Sequence, residues 1–253
     1  MEVFIAIVVV IAGVAAALYG HRMHQKRLAE LAAWARAEGW TWDPERRKSP
    51  RYPFALFSQG HTRFSRYHAG RDFAGATPGL DSAHVELFEY HYAITTSNGK
   101  TTTTHHYYFT CAAIDPGADL GHVSIRDEHI GDKIAQAVGF DDIDLEDPDF
   151  SKKFVVKARN RKDAYDLIDH ALQRYLISHS GWRIETAGRL LFIHRKGRIS
   201  IENYNELVRF ALGFLAQLPR TLVNAERAAR GQPPLIEAGS AAPESRRKLP
   251  EVS

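Results

Sequence analysis

An apolar run at the start of the chain limits its possible folds more than any other feature. Residues 3–20 read VFIAIVVVIAGVAAALYG and contain no charged side chain. As a helix, this run would be about 27 Å long at about 1.5 Å per residue, which matches the hydrocarbon thickness of a bilayer. The sequence therefore predicts a transmembrane helix over residues 3–20.

Two other interpretations of this run stay open. A cleaved signal peptide would use the small residues Ala15, Ala16 and Ala17 as its cleavage site. Such a peptide begins with positive charge, whereas only Glu2 precedes the run here. A buried core helix is the second interpretation, and the terminal position of the run argues against it.

A basic segment directly follows the apolar run. It reads HRMHQKR, with Arg22, Lys26 and Arg27 as its cations, and more basic residues follow at 46–48 and 51. Positively charged flanks stay on the cytoplasmic side of a membrane. We therefore expect a single-pass protein with its N-terminus outside and its main domain in the cytoplasm. The same cations suit anionic lipid headgroups, so Arg22, Lys26 and Arg27 are candidate interaction residues.

The composition of the whole chain is that of an ordinary globular protein. Of the 253 residues, 44% are hydrophobic and 25% are charged, which excludes wholesale disorder. The net charge of +3 is too even for a protein that coats nucleic acid. The single cysteine, Cys111, excludes an internal disulfide framework and a Cys-rich zinc module, and it agrees with a reducing compartment.

Local composition divides the chain into four segments. They are a transmembrane helix over 3–20, a juxtamembrane helix and basic linker over 21–51, a soluble α+β domain over 52–230 and a flexible tail over 231–253. In the linker, Leu28–Glu38 is predicted to be helical and to stop at Gly39, and we expect Trp40 and Trp42 in the core. The tail is rich in Pro, Ala, Ser and Glu, so it lacks a core of its own.

The strongest local signal is a β-hairpin. Two Thr- and Tyr-rich runs, 84–96 and 100–114, flank the turn sequence Ser97-Asn98-Gly99. Alternation along a strand groups apolar side chains on one face of each run, namely Phe88, Tyr90, Tyr92 and Ile94 on the first and Tyr107, Phe109 and Cys111 on the second. The aromatic hairpin offers contact area for a partner, with these candidate interaction residues: Tyr90, Tyr92, His105 and Tyr107.

The second half of the chain mixes helices and strands. The pattern predicts, in order, a helix over Ser124–Val138, a strand over Ser151–Ala158, a helix over Asn160–His179, a hairpin over 182–197, and a helix that begins at Ser200 and is kinked or ended by Pro219. This order predicts an α+β fold in which a mostly antiparallel sheet carries segregated helices, preceded by one N-terminal transmembrane helix.

The sequence lacks the common catalytic and nucleotide-binding motifs. It has no G-x-G-x-x-G after a strand, no phosphate loop, no H-E-x-x-H and no G-x-S-x-G. The best metal-ligand candidates are His91, one of the adjacent His105 and His106, and Cys111. Adjacent strand residues point to opposite faces, so at most one of His105 and His106 can join a site, and a metal needs three or four ligands. The acidic run 141–149 begins like a calcium loop and then lacks the required Gly and Glu. We therefore predict no catalytic residue, no metal and no cofactor.

One segment has the pattern of a nucleic-acid contact. Arg63, Arg66 and Arg71 alternate with Phe64 and Tyr67, a combination that can grip single strands. The balanced total charge argues against this, so we expect no nucleic acid partner. An edge strand that its arginines protect from aggregation is the other interpretation.

Several segments carry a resemblance to a known group of proteins. They are LAAWARAEGWTW, PFALFSQGHTR, the hairpin VELFEYHYAITT…HHYYFTCAAID, DIDLEDPDFSKKFVVKARNRKDAYDLI and WRIETAGRLLFI. Over residues 28–218 the chain resembles uncharacterised bacterial proteins with an N-terminal transmembrane helix and a soluble α+β domain of unknown function. The resemblance implies the same architecture and no known activity, so it assigns no functional residue.

The leading hypothesis is a membrane-tethered, non-catalytic accessory or scaffold subunit of a larger membrane protein assembly. Its expected partners are other membrane proteins and, through residues 3–20, the lipid bilayer. One alternative is a lipid-surface effector that uses the basic flanks. The other is an enzyme or small-ligand-binding domain whose pocket would be formed by Arg63, Glu89, His91 and His105.

Overall fold

The computed structural model describes residues 1–128 and 139–235, without the side chains of residues 2–10, 12 and 16. In these ranges ten strands form one sheet, and six helices accompany it. The α+β class and the antiparallel sheet are therefore confirmed. Most of the predicted flexible tail, residues 236–253, lies outside the described ranges.

The helices are α1 (Glu2–Ala37), α2 (Pro148–Ser151), α3 (Arg161–Leu167), α4 (His170–Ser178), α5 (Ile201–Ala216) and α6 (Arg220–Ala229), with one 3-10 helix at Ala55–Ser58. The strands are β1 (Thr41–Asp43), β2 (Arg47–Lys48), β3 (His61–Ala74), β4 (Ser82–Ser97), β5 (Thr102–Asp115), β6 (Val123–Asp127), β7 (Asp141–Asp142), β8 (Phe154–Ala158), β9 (Arg183–Ala187) and β10 (Leu190–Lys196).

The strands lie in the order β1-β3-β4-β5-β10-β9-β6-β8-β7, and every pairing is antiparallel. The long strands β3, β4 and β5 form a meander, and β5 joins it to the second half of the sheet. At that junction Leu191 of β10 lies opposite Ile114 of β5. Both short strands β1 and β2 pair with β3, so β3 is not the edge strand that its arginines suggested.

Each face of the sheet carries a hydrophobic core. Because neighbouring residues of a strand point to opposite faces, β4 places Leu87 in the larger core and Phe88 in the smaller one. The helices contribute to the larger core. The smaller core is mostly aromatic and is closed by the 3-10 helix, with these buried members: Phe54, Leu56, Phe57, Phe88, Tyr90, Tyr92, Phe109, Cys111, Ala113 and Phe192.

The predicted hairpin is confirmed as β4 and β5. Its turn is closed by the Asn98 amide, which donates to the Thr101 carbonyl oxygen at 3.2 Å. The Asn98 side chain accepts from the Thr101 amide at 2.8 Å, and Gly99 has a φ of +83° that favours glycine. The predicted faces are confirmed as well, since Ile94 and Tyr107 pack beside the aromatic core that the other five residues help to form.

The helix predicted over Asn160–His179 is wrong as a single element. Ile168 leaves helical geometry with φ −105° and ψ 80°, and Asp169 begins α4 by accepting from the Leu172 amide at 2.9 Å. The apolar period continues across this break because both helices bury the same side. The helix predicted over Ser124–Val138 is wrong at its start, where β6 lies, and residues 129–138 lie outside the described ranges.

Helix α1 joins the apolar run to the juxtamembrane segment without interruption. It ends before Gly39, whose φ of +71° turns the chain, and the Trp40 amide donates to the Ala35 carbonyl oxygen. The sequence predicts a transmembrane helix over residues 3–20, and the structure does not describe most of the side chains in this range. Among the residues that are described, no helix is long and apolar enough to cross a membrane, so that prediction is not supported.

Candidate functional site

The C-terminal part of α1 belongs to the main core. Leu31 and Ala35 are buried, and the rings of Trp34 and Trp40 stack with 5.8 Å between their centroids. Trp34 also donates its indole N–H to the Asn205 side chain of α5 at 2.9 Å. These contacts pack the C-terminal part of α1 against α5 and the main core.

A fully buried carboxylate lies beneath α1. Glu89 of β4 accepts from Arg66 Nε at 2.8 Å and Nη2 at 2.6 Å, and from the Ile199 amide at 3.1 Å. Arg27 of α1 donates to the Ile199 carbonyl oxygen, and its Nη2 atom lies 4.0 Å from Glu89 Oε2. A buried carboxylate is costly unless it is paired, and here two guanidinium groups and one amide pair it.

The backbone beside this carboxylate is irregular. The register of β3 and β4 shifts between Arg66 and Ala69, and Tyr67 within the shift has a φ of +61°. This left-handed conformation costs about 1–2 kcal/mol for a residue with a side chain. The buried Tyr204 hydroxyl offsets part of that cost by donating to the Tyr67 carbonyl oxygen at 2.7 Å. Burial also raises the pKa of Tyr204 well above its ordinary value, so the hydroxyl keeps its proton.

Two exposed arginines lie next to the Glu89 site. The Arg46 guanidinium is 3.9 Å from the centroid of the Phe64 ring, and the Arg198 guanidinium is 3.8 Å from that of Tyr108. Both arginines are exposed, and neither has an acidic partner within ion-pair distance in the part of the chain that the structure describes. We call Arg27, Arg46, Arg66 and Arg198 the arginine face.

The histidine pair lies on the same side of the sheet. His91 Nε2 is 3.0 Å from His106 Nδ1, and His91 Nδ1 is 3.1 Å from the Thr62 carbonyl oxygen. Burial lowers the pKa of His91, which favours the neutral imidazole. His105 points to the other face, as the sequence predicted for adjacent strand residues. No group of three metal-ligating side chains occurs among the described residues.

The predicted hairpin residues divide by burial. Tyr90 and Tyr92 are buried in the aromatic core, and Tyr107 is half-buried with its ring 5.0 Å from that of Tyr92. His105 is exposed. The structure thus leaves Tyr107 and His105 as the surface of this group, while the role of all four in binding a partner stays a prediction.

The predicted basic residues divide in a similar way. Arg22 and Lys26 are exposed, whereas Arg27 turns toward Glu89 with 33% of its side chain exposed. Sequence reasoning missed this role of Arg27, because the partner carboxylate lies far along the chain. The available signal was Glu89, an acidic residue within the buried run of β4, which needs a cationic partner when it is buried.

The pocket imagined for a small ligand is not assembled. Arg63 donates to the Phe57 carbonyl oxygen at 3.0 Å, and the Glu89 carboxylate accepts from Arg66. His91 and His105 point to opposite faces of the sheet. Open clefts of about 520 and 750 Å³ lie instead beside α3 and α6. None of the four predicted residues lines either cleft.

No family model matches this chain, and no curated protein does. Among solved structures, the chain is similar to the crystal structure of the mycobacterial trehalose monomycolate transport factor A, TtfA, with a TM-score of 0.53 and 12% sequence identity. The similarity covers 83% of this chain and 98% of that chain. At this identity the likeness concerns the fold alone, and the chain has the overall fold of that transport factor.

Proposed function

We propose that the chain is a membrane-attached, non-catalytic accessory subunit of a membrane transport assembly. One observation carries the proposal, namely that α1 is a single helix with opposite environments at its two ends. Its N-terminal part exposes large apolar side chains at Ile11, Val14, Leu18 and Tyr19. Its C-terminal part is packed into the core of the domain. Apolar side chains exposed in this number need an apolar surrounding, which a bilayer or a membrane protein supplies.

The attachment that we propose is a single span with the N-terminus outside and the main domain in the cytoplasm. The uncharged run 3–20 supports the span, and the cations Arg22, Lys26 and Arg27 directly after it support the orientation. Because α1 has no break between this run and Leu31, the domain is held close to the membrane surface.

The transport role rests on the fold. TtfA is described as a transport factor, and nearly all of that chain is covered by this one. An accessory role also agrees with the use of Glu89, the buried carboxylate of the site, as the ion-pair partner of Arg66. The partner surface that we propose includes His105 and Tyr107 on the hairpin.

Co-purification tests this function. The full chain is extracted from its own cells in mild detergent through a C-terminal tag, and the co-eluting proteins are identified. We expect an integral membrane transporter to elute with the chain, and His105→Asp with Tyr107→Asp to reduce its recovery. The exposed Arg174→Glu variant on α4 is the matched control and should keep the partner. Elution of the chain alone would contradict an accessory role.

A further inference from the structure

The four residues of the arginine face come from distant parts of the chain and meet around Arg66. Arg66 shares the Phe64 ring with Arg46, at 5.7 and 3.9 Å from its centroid. It shares the Tyr108 ring with Arg198, at 5.9 and 3.8 Å. It shares the Glu89 carboxylate with Arg27.

The charges of this surface do not balance. Glu89 is the single carboxylate paired with the arginine face in the described ranges, and it contacts Arg27 and Arg66. Arg46 and Arg198 have aromatic rings beneath them and no acidic partner among the described residues. Stacking on a ring fixes a guanidinium while its N–H groups stay available. The surface therefore presents fixed, unneutralised donors that suit a phosphate group.

The arginine face adjoins the point where α1 leaves the domain. An open cleft of about 430 Å³ runs along α1 there and is lined by Met23, His24, Lys26, Arg27 and Glu30. The lining combines the Met23 side chain with the cations Lys26 and Arg27 beside Glu30. Its cations suit a lipid headgroup, while Met23 suits the beginning of an acyl chain. Lys26 is paired only loosely with Glu30, at 3.9 Å between exposed side chains.

We propose that the arginine face binds the anionic headgroups of acidic phospholipids. This inference rests on the proposed function, because α1 then brings the face to the membrane surface. The basic linker around Arg46 and the loop around Arg198 take part in one lipid-binding surface together with the flank of α1. The lipid contact orients the domain relative to the bilayer.

The test measures lipid binding by the full chain in a neutral detergent. The probes are short-chain phosphatidylglycerol, phosphatidylcholine with the same acyl chains, and inorganic phosphate. We expect phosphatidylglycerol to bind more tightly than the other two probes and its affinity to fall as salt is raised. Arg46→Gln with Arg198→Gln should weaken this binding about tenfold or more, since each cation contributes separately. Arg161→Gln with Arg174→Gln, on α3 and α4, is the charge-matched control and should bind normally.

Equal binding of both phospholipids, or binding of inorganic phosphate as tight as that of phosphatidylglycerol, would overturn the inference. Arg46→Lys with Arg198→Lys keeps the charges and removes the stacked guanidinium donors, so its affinity should lie between those of the unmodified chain and the Gln variant. A loss as large as that of the Gln variant would contradict an electrostatic surface. If a membrane transporter co-purifies with the chain but both phospholipids bind equally, only this inference is refuted. If the chain binds phosphatidylglycerol selectively but no partner co-purifies, only the accessory role is refuted.

Discussion

Arg27 of α1 and Glu89 of β4 form an ion pair between the N-terminal helix and the interior of the sheet. Arg27 Nη2 lies 4.0 Å from Glu89 Oε2, and the same guanidinium donates to the Ile199 carbonyl oxygen. Glu89 is fully buried and is held from its other side by Arg66. The sequence predicted that Arg27 contacts lipid headgroups, and in the structure its guanidinium also binds α1 to the domain.

Replacing Glu89 tests this arrangement. Glu89→Gln leaves two arginines without their buried counter-charge, and we expect the free energy of unfolding to fall by about 3 kcal/mol. Urea unfolding of the full chain in detergent measures the change. Glu45→Gln in the exposed linker is the control and should change stability by less than about 0.5 kcal/mol. Equal stability of the two variants would show that the buried ion pair does not hold α1.

Acid should weaken the fold through Glu86. A hydrogen bond from His68 at 2.8 Å, followed by the charges of His68 and Arg47, lowers the pKa of Glu86 below its ordinary 4.5. A carboxylate with a lowered pKa in the folded state contributes stability above about pH 4.5, and this is lost as the pH falls through the folded value. Glu86→Gln should therefore lower stability at neutral pH by about 1 kcal/mol and flatten its dependence below pH 4.5.

The measurement for Glu86 is thermal unfolding at a series of pH values. The exposed Glu45→Gln variant should keep the steep acid limb of the unmodified chain. If the stability of Glu86→Gln falls as steeply with decreasing pH as that of the unmodified chain, groups other than Glu86 cause the acid sensitivity.

The contact between α4 and α5 depends on a glycine. A Cβ atom at Gly213 would overlap the Tyr175 hydroxyl, which donates to the Phe210 carbonyl oxygen at 2.8 Å. Gly213→Ala should therefore destabilise the domain by about 1–3 kcal/mol, although alanine favours a helix. Urea unfolding gives the value, with the exposed Arg209→Ala on the same helix as control. A stabilised Gly213→Ala variant would mean that Tyr175 moves away without cost.

Cys111 should be inert in the folded protein. Its thiol is fully buried in the aromatic core, and burial raises its pKa well above 9.0. A thiol-specific reagent should label it only when the domain unfolds in urea. Ser97→Cys at the exposed hairpin turn supplies a thiol for comparison and should react at once. Labelling of Cys111 at that rate in the native protein would contradict the closed core.

The sequence predicts this fold where local pattern decides it. Alternation along the hairpin identified the aromatic face that contains Phe88 and Phe109, and the Ser200 cap marked the start of α5. The break at Ile168 escaped because the apolar period of 3.6 continues through it, and only the capping residue Asp169 signals a new helix. Periodicity alone could not separate the two helices.

The candidate site escaped prediction for a different reason. Its contacts join residues remote in sequence, such as Arg46 with Phe64 and Arg198 with Tyr108, and a single chain carries no record of such pairings. The pairing of β5 with β10 is equally remote and depends on the closure of the whole sheet. Composition identified the cations, and only the fold brings them to one surface.

Attachment of α1 to a membrane is the central claim, and fractionation of cells tests it most directly. The full chain is compared with a chain that lacks residues 2–20, and both membrane fractions are washed with alkaline carbonate. We expect the full chain to stay in the membrane pellet and the shortened chain to move to the supernatant, because the exposed apolar part of α1 is then missing. Recovery of the full chain in the supernatant would contradict the account.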